Sequence, residues 1–359
     1  MTDKRCFFHG AKLLDSVRAY AVLKAIFDNL FRFEGQFQIK HERKNMKKQV
    51  ALIALIIGLA AGVSAQKVKP AGVLTPENSA KIHEIEDTLA ILGFVVVNDS
   101  IEQERFAACR QLITTLVRAL KIENSYRYPF ERLRSMSILS PPDSSFRIFT
   151  WQLFVNDSTY RHYGAIQMNQ KELKLFALRD KSFEMDNPAP VHEVLSPDRW
   201  YGAVYYGIRQ FDTREGRKYL LLGFDAFEFY QRRKLIEVLS FDAKTGVPVF
   251  GAPVFGKERP EDRRLIFEYS AEASIRVNWD EQYQLILFDH LIEYPSPFGR
   301  GITYVPDGSY DGLKQEKTGW SFVEHVFRGD FQEAPPFPSP VLDSRKEKDI
   351  MGKSRKKNN

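Results

Sequence analysis

Two cysteines among 359 residues, Cys6 and Cys109, are too few to staple a domain, so stability has to come from a packed core. Cys109 falls on a helical stripe with Phe106, Ile113, Leu116 and Leu120. That spacing reads as a buried small hydrophobe rather than a reactive thiol. The short strings that announce chemistry are missing too. No GxxxxGK[S/T] or GxGxxG is there to cradle a phosphate. The string nearest to a serine-nucleophile elbow, Gly308-Ser309-Tyr310-Asp311-Gly312, has the wrong spacing. His162, His192, His290 and His325 are scattered. The acids next to them in sequence point to the opposite face of any strand, so neither a metal nor another cofactor is expected. Asp307 to Gly312 carries two acids but misses the calcium-loop pattern and reads as two consecutive Asp-Gly turns.

Positive charge is also scarce where a nucleic-acid-binding face would need it. The chain totals +6, but residues 1–65 hold eleven Lys/Arg against five Asp/Glu, and residues 340–359 hold seven against three. The stretch 66–339 between them is therefore net −4. A nucleic-acid partner is excluded on that distribution.

What the sequence does have begins at Met46. Lys47 and Lys48 precede an uncharged run, Val50 to Val63, and Val63-Ser64-Ala65 then supplies small residues before Gln66. This is the grammar of a secretory signal peptide over 46–65. The run is shorter than the roughly 20 residues a spanning helix needs. An exported product, periplasmic or extracellular, with no stable span after cleavage is expected. The alternative is an inner-membrane anchor over residues 50–64, oriented by Arg43, Lys44, Lys47 and Lys48. Residues 1–45 read either as a stretch upstream of a true start at Met46 or as a cytoplasmic extension.

Residues 66–145 read as a linker and a two-helix unit. Thr75-Pro76 suits a helix start, with Ile82, Ile85, Leu89 and Leu92 as its stripe and Gly93 as its stop. Phe94 to Val97 looks β-like, and Asn98-Asp99-Ser100 caps a second helix to about Leu120. From Phe146 the period becomes two. With 28 Phe and 15 Tyr in the chain, residues 146–333 are expected to be antiparallel sheet. The fold class is mainly β with a small N-terminal helical unit, as a packed sheet pair or an open barrel. Leu265, Phe267, Tyr269 and then Ile275, Val277, Trp279 alternate as a hairpin with one buried face. Asp242 to Gly246 makes a turn, whereas YLLLG (219–223) and LILF (285–288) are apolar on both faces and belong mid-sheet under cover. Residues 334–359 read as a Pro-rich spacer and a disordered basic tail.

The runs WYGAVYYGI (200–208), YLLLGFD (219–225), KLIEVLSFDAKTGVPVFGAPVF (234–255) and RLIFEYSAEASIRVNW (264–279) resemble a family of exported proteins of unknown function from Bacteroidetes-type bacteria. The resemblance spans most of 146–327, implies export and a start at Met46, and carries no activity, ligand or catalytic residue.

An outer-membrane barrel is excluded, because charged strands at 160–163 and 231–234 would interrupt a lipid-facing band. Two functions remain. One is a non-catalytic envelope or secreted binding module, with an envelope protein or a glycan as partner. The other is a secreted hydrolase acting on an extracellular polymer through paired carboxylates. The segment Asp289 to Gly319 is long for a hairpin connection and is the expected ligand site. It concentrates acids, Asp289, Glu293, Asp307 and Asp311, beside Tyr294, Tyr304 and Tyr310. The alternative is a loop that covers a sheet end with its aromatics turned inward.

Overall fold

The computed structural model describes residues 70–156, 159–185, 190–296, 299 and 301–327. The leader, the stretch before it and the basic tail fall outside the described residues, which all belong to one compact unit within Val68–Asn359. Two helices come first, α1 (Pro76–Asn98) and α2 (Glu102–Leu120). Thr75 caps α1, its hydroxyl accepting from the Asn78 amide at 3.2 Å, and Pro76 takes the first turn, where no amide donor is missed.

Gly93 does not end α1. The helix runs one and a half turns further, through the Phe94–Val97 stretch that reads as β-like. Gly93 is there for closeness: a Cβ at this position would sit 2.0 Å from the Ser135 Oγ, so the glycine lets the chain at Ser135 lie against the helix. Of the expected α2 stripe, Cys109, Leu116 and Leu120 are buried and Phe106 and Ile113 pack half-buried beside them, while Leu112, outside that stripe, is buried too. Burial pushes the Cys109 thiol above its ordinary range, as an inert core cysteine requires.

Three antiparallel sheets follow, and among the described strands none closes into a barrel. The first is β1 (Ser137–Leu139), β2 (Phe146–Asn156), β3 (Thr159–Met168) and β4 (Leu175–Arg179), paired in that order. The second holds β5 (Val204–Thr213), β6 (Gly216–Asp225) and β7 (Gln231–Phe241). Along the free edge of β7 run β8 (Pro248–Phe250) and then β9 (Arg264–Ser270). The third is β10 (Val277–Asp280), β11 (Leu285–Pro295), β12 (Ile302–Gln315) and β13 (Trp320–Val323).

The layers stack as helices, first sheet, second sheet, third sheet, with a core between each pair. Phe149, Trp151 and Leu153 face the helices, where they meet Ile82, Leu89 and Leu112. Phe146 and Ile148, on the other face of β2, meet Tyr205, Tyr219 and Leu221 of the second sheet. Leu220, Leu222 and Val238 turn away from that core to meet Ile286, Leu313 and Trp320 of the third. The second sheet is covered on both faces, and this explains why YLLLG carries no polar alternation. In LILF, Ile286 and Phe288 join the core with the second sheet, while Leu285 and Leu287 are buried on the opposite face. Gly312 leaves room there for Leu285 and Val326.

Two pairings differ from the sequence reading. Leu265, Phe267 and Tyr269 do share a face, as do Ile275, Val277 and Trp279, but β9 pairs with β7 and β10 with β11, so they are not one hairpin. A shared alternation marks a shared core, here the one between two sheets, and does not select the hydrogen-bonding partner. Second, Asp289–Gly319 is not a long loop. β11 continues to Pro295 and β12 runs from Ile302 to Gln315, so most of the segment is the outer arm of one long hairpin and its end is the turn into β13. The turn at Asp242 is as expected, with Gly246 at φ 67° and the Asp242 carboxylate accepting from Lys244, Thr245 and the Thr245 hydroxyl.

Candidate functional site

The β11–β12 hairpin is interrupted once. Asp289 pairs with Tyr310, but Leu291 pairs with Pro306, so His290 stands opposite Asp307, Gly308 and Ser309. Extra residues on one strand make a bulge, which re-aims side chains. The Asp-Gly pair at its centre supplies the needed conformation: Gly308 has φ 90°, and the Asp307 Oδ1 accepts from the Ser309 amide at 2.8 Å and its hydroxyl at 2.7 Å. Asp307-Gly308 is thus a bulge within a strand. Gly312, read as closing a second turn, is an ordinary strand residue paired with Leu287 and Val323.

The bulge brings His290 to Asp311, its Nδ1 2.8 Å from Oδ2. The other Asp311 oxygen accepts from the His325 amide at 3.0 Å, and the Val326 amide donates to the Tyr310 carbonyl at 2.8 Å. These bonds carry the β12–β13 pairing on past Val323, and the His325 ring lies 5.5 Å from that of His290, centroid to centroid. The hydrogen bond to Asp311, partly offset by burial, lifts the His290 pKa above its ordinary value, and the charges of Asp311, Asp307 and Glu324 add to the rise.

The expected site residues are divided by this geometry. Asp307 lies in the bulge and Asp311 just beyond it. Asp289 is nearly buried and spends its carboxylate on the Arg276 amide. Tyr310 packs edge-on against Phe327 at 5.7 Å. Glu293, Tyr294 and Tyr304 stand apart on the outer arm, where Tyr294 and Tyr304 are 53% and 38% exposed. Those two tyrosines are therefore not turned inward. The sequence reading named His290 and His325 only as isolated residues. Their meeting depends on β13 and the residues after it running back along β12, a pairing that no local pattern announces.

A second place was missed altogether. Three adjoining concavities of about 320, 560 and 510 Å³ lie along the join of α1, the first sheet and the second sheet. The first two share Val97, Arg134 and Ser135; the last two share Phe154 and Tyr160. Phe94 and Val97 of α1 are 65% and 54% exposed at one end, and Phe229 is 54% exposed at the other. The Arg134 guanidinium makes no hydrogen bond or ion pair with any described residue, and the buried Oε1 of Gln152, another lining residue, also lacks a partner. A signal for this groove was present in the sequence. The run Ile91 to Val97 is apolar beyond what one helix face can bury.

Beside the groove, Gln152 pairs across the strands with His162, which is fully buried. His162 Nδ1 lies 3.5 Å from Asp180 and Nε2 3.7 Å from Asp225, distances of ion pairing rather than hydrogen bonding. Burial works against a charged ring, but the two carboxylates outweigh it and the His162 pKa is raised. Asp225 is held further by the Tyr201 hydroxyl at 3.1 Å, which in turn accepts from Arg233, and Arg233 pairs with Glu268 at 2.6 Å. These two carboxylates, which converge on one point, close on a histidine inside the protein and join the first sheet to the second.

No helix among the described residues is long and apolar enough to cross a membrane. Compared with protein-family profiles, curated proteins and solved structures, the chain has no match in any of the three.

Proposed function

We propose that this is an exported binding module of the cell envelope or the medium, and that its partner is a protein offering an acidic, apolar segment to the groove along Phe94, Val97, Arg134, Phe154, Tyr160 and Phe229. The observation that carries this reading is the groove itself. Exposed or half-buried apolar and aromatic side chains of α1, β2, β3 and the β6–β7 connection line it, with an unpaired arginine between them. Contiguous exposed apolar surface of this kind marks interaction sites, and an aromatic and arginine pairing is the usual chemistry of an interface anchor. Export rests on the three-part leader at 46–65 and on the resemblance to exported Bacteroidetes-type proteins.

The test is site-specific photo-crosslinking in the producing cell. A benzophenone amino acid at Phe94 or Phe229 should trap one discrete partner, and the same probe at Lys244, on the far turn, should not. Arg134→Glu should abolish the Phe94 adduct. Equal labelling from Lys244 refutes the groove. Binding of acidic oligosaccharides with no protein adduct replaces the protein partner with a glycan. Release of products from such a polymer restores the hydrolase.

A further inference from the structure

We propose that His290 and His325 form an open two-histidine site for a divalent transition-metal ion of the zinc or copper type. The argument begins with the ring separation. A metal–nitrogen bond of about 2.0–2.1 Å, added to a ring radius of about 1.1 Å, puts each imidazole centroid about 3.2 Å from a shared ion. Two rings meeting there at a tetrahedral angle have centroids about 5.2 Å apart. The observed separation is 5.5 Å, with planes inclined at 45°.

The protonation chemistry fits as well. With Asp311 accepting from Nδ1, the neutral His290 ring carries its lone pair on Nε2, which makes no bond to any described residue. A carboxylate on the far nitrogen is the arrangement that orients a metal-ligating histidine and makes it more basic. The same carboxylate holds the backbone of His325, so one aspartate orients the His290 ring and anchors the chain at His325. His325 is exposed and held at φ 46°, a conformation few residues adopt without a local reason. Asp307, opposite His290 in the bulge, engages one oxygen, Oδ1, with the Ser309 amide and hydroxyl. No three His, Cys, Asp or Glu side chains among the described residues are placed to close around one ion. The site is therefore open, and its remaining positions belong to solvent or to a partner's donor. Imidazole donors favour zinc, copper and nickel over calcium and magnesium. This site is separate from the groove, and either stands without the other.

Calorimetric titration of the full chain with ZnCl₂ and with CuCl₂ tests it, with CaCl₂ as the control and thermal unfolding confirming that each variant is folded. Saturable binding of zinc or copper but not calcium is expected. His325→Gln, at an exposed position, should weaken it at least tenfold. His83→Gln, a control at an exposed histidine elsewhere, should leave it unchanged. Asp311→Asn, which keeps both rings but weakens the orientation of His290, should weaken binding roughly tenfold. In the Cu²⁺ complex the electron-spin resonance spectrum should show coupling to two nitrogens, falling to one in His325→Gln. Zinc and copper affinities in His325→Gln equal to those of the unaltered protein, or no saturable binding, overturn the proposal.

Discussion

Arg264→Leu would strand a carboxylate in the middle of the second sheet. Glu237 and Arg264 stand directly opposite each other on β7 and β9, both fully buried. The Arg264 Nε donates to the Glu237 Oε2 at 2.8 Å, and its other nitrogens reach the carbonyls of Pro190 and Phe250. Glu237 also accepts from the Val238 amide at 3.0 Å. Burial raises the Glu237 pKa, and Arg264 pulls it back. Leucine removes the countercharge and leaves the desolvation. Breaking a buried pair in this way costs about 3–5 kcal/mol. At about 2–4 °C per kcal/mol for a domain of this size, the thermal midpoint should fall by about 6–20 °C. The loss should shrink on acidification, because a protonated Glu237 no longer carries an unpaired charge. Adding Glu237→Leu should recover at least about 1.5 kcal/mol, a non-additivity expected of partners in contact. Chemical denaturation of the two single variants and the double variant at pH 5.5 and pH 8 measures all of this. A single-variant loss below about 1 kcal/mol, or strict additivity, would refute the reasoning.

Gly93→Ala should destabilise despite alanine's better helix propensity, because the new Cβ falls on the Ser135 side chain; Ser135→Gly in the same chain should restore the midpoint. Trp279→Ala should cost about 2 kcal/mol, below the roughly 3–5 of a fully buried aromatic, since Trp279 is half-buried with the Arg209 guanidinium 3.7 Å from its ring centre; urea unfolding measures it, and a loss near zero would mean the ring is not part of the core. His162 has a raised folded pKa between Asp180 and Asp225, so its stabilisation is complete below the unfolded value of about 6.5 and is lost as pH rises through the folded one. The midpoint gap between the unaltered protein and His162→Gln should narrow from pH 6 to pH 9, and a gap that widens would show that the neutral ring is the stabilising form.

The limits of local reading show at particular residues. The change to period two at Phe146, the cap at Thr75 and the turn at Asp242 are interactions between neighbours in sequence, and each stands in the structure where the residues put it. The apolar run at 219–223 also told its burial correctly, because a strand covered on both faces has no polar alternation to show. The outer arm of the β11–β12 hairpin stayed hidden. Pro306, Gly308 and Gly312 break any strand pattern, and only pairing across to β11 tells a bulge from a turn.

What the sequence by itself determined is the content of each layer, since burial of a face is written in spacing along one strand or helix. Which layers meet was decided by tertiary structure alone. β9 joins β7 and not β10 because hydrogen bonds between strands are backbone bonds, blind to side-chain identity, and are selected by how whole sheets stack. The same holds for the two places where chemistry is concentrated. His290 and His325 are thirty-five positions apart and meet through a bulge and the β12–β13 pairing, whereas the groove exists only where a helix and two sheets fail to close on one another.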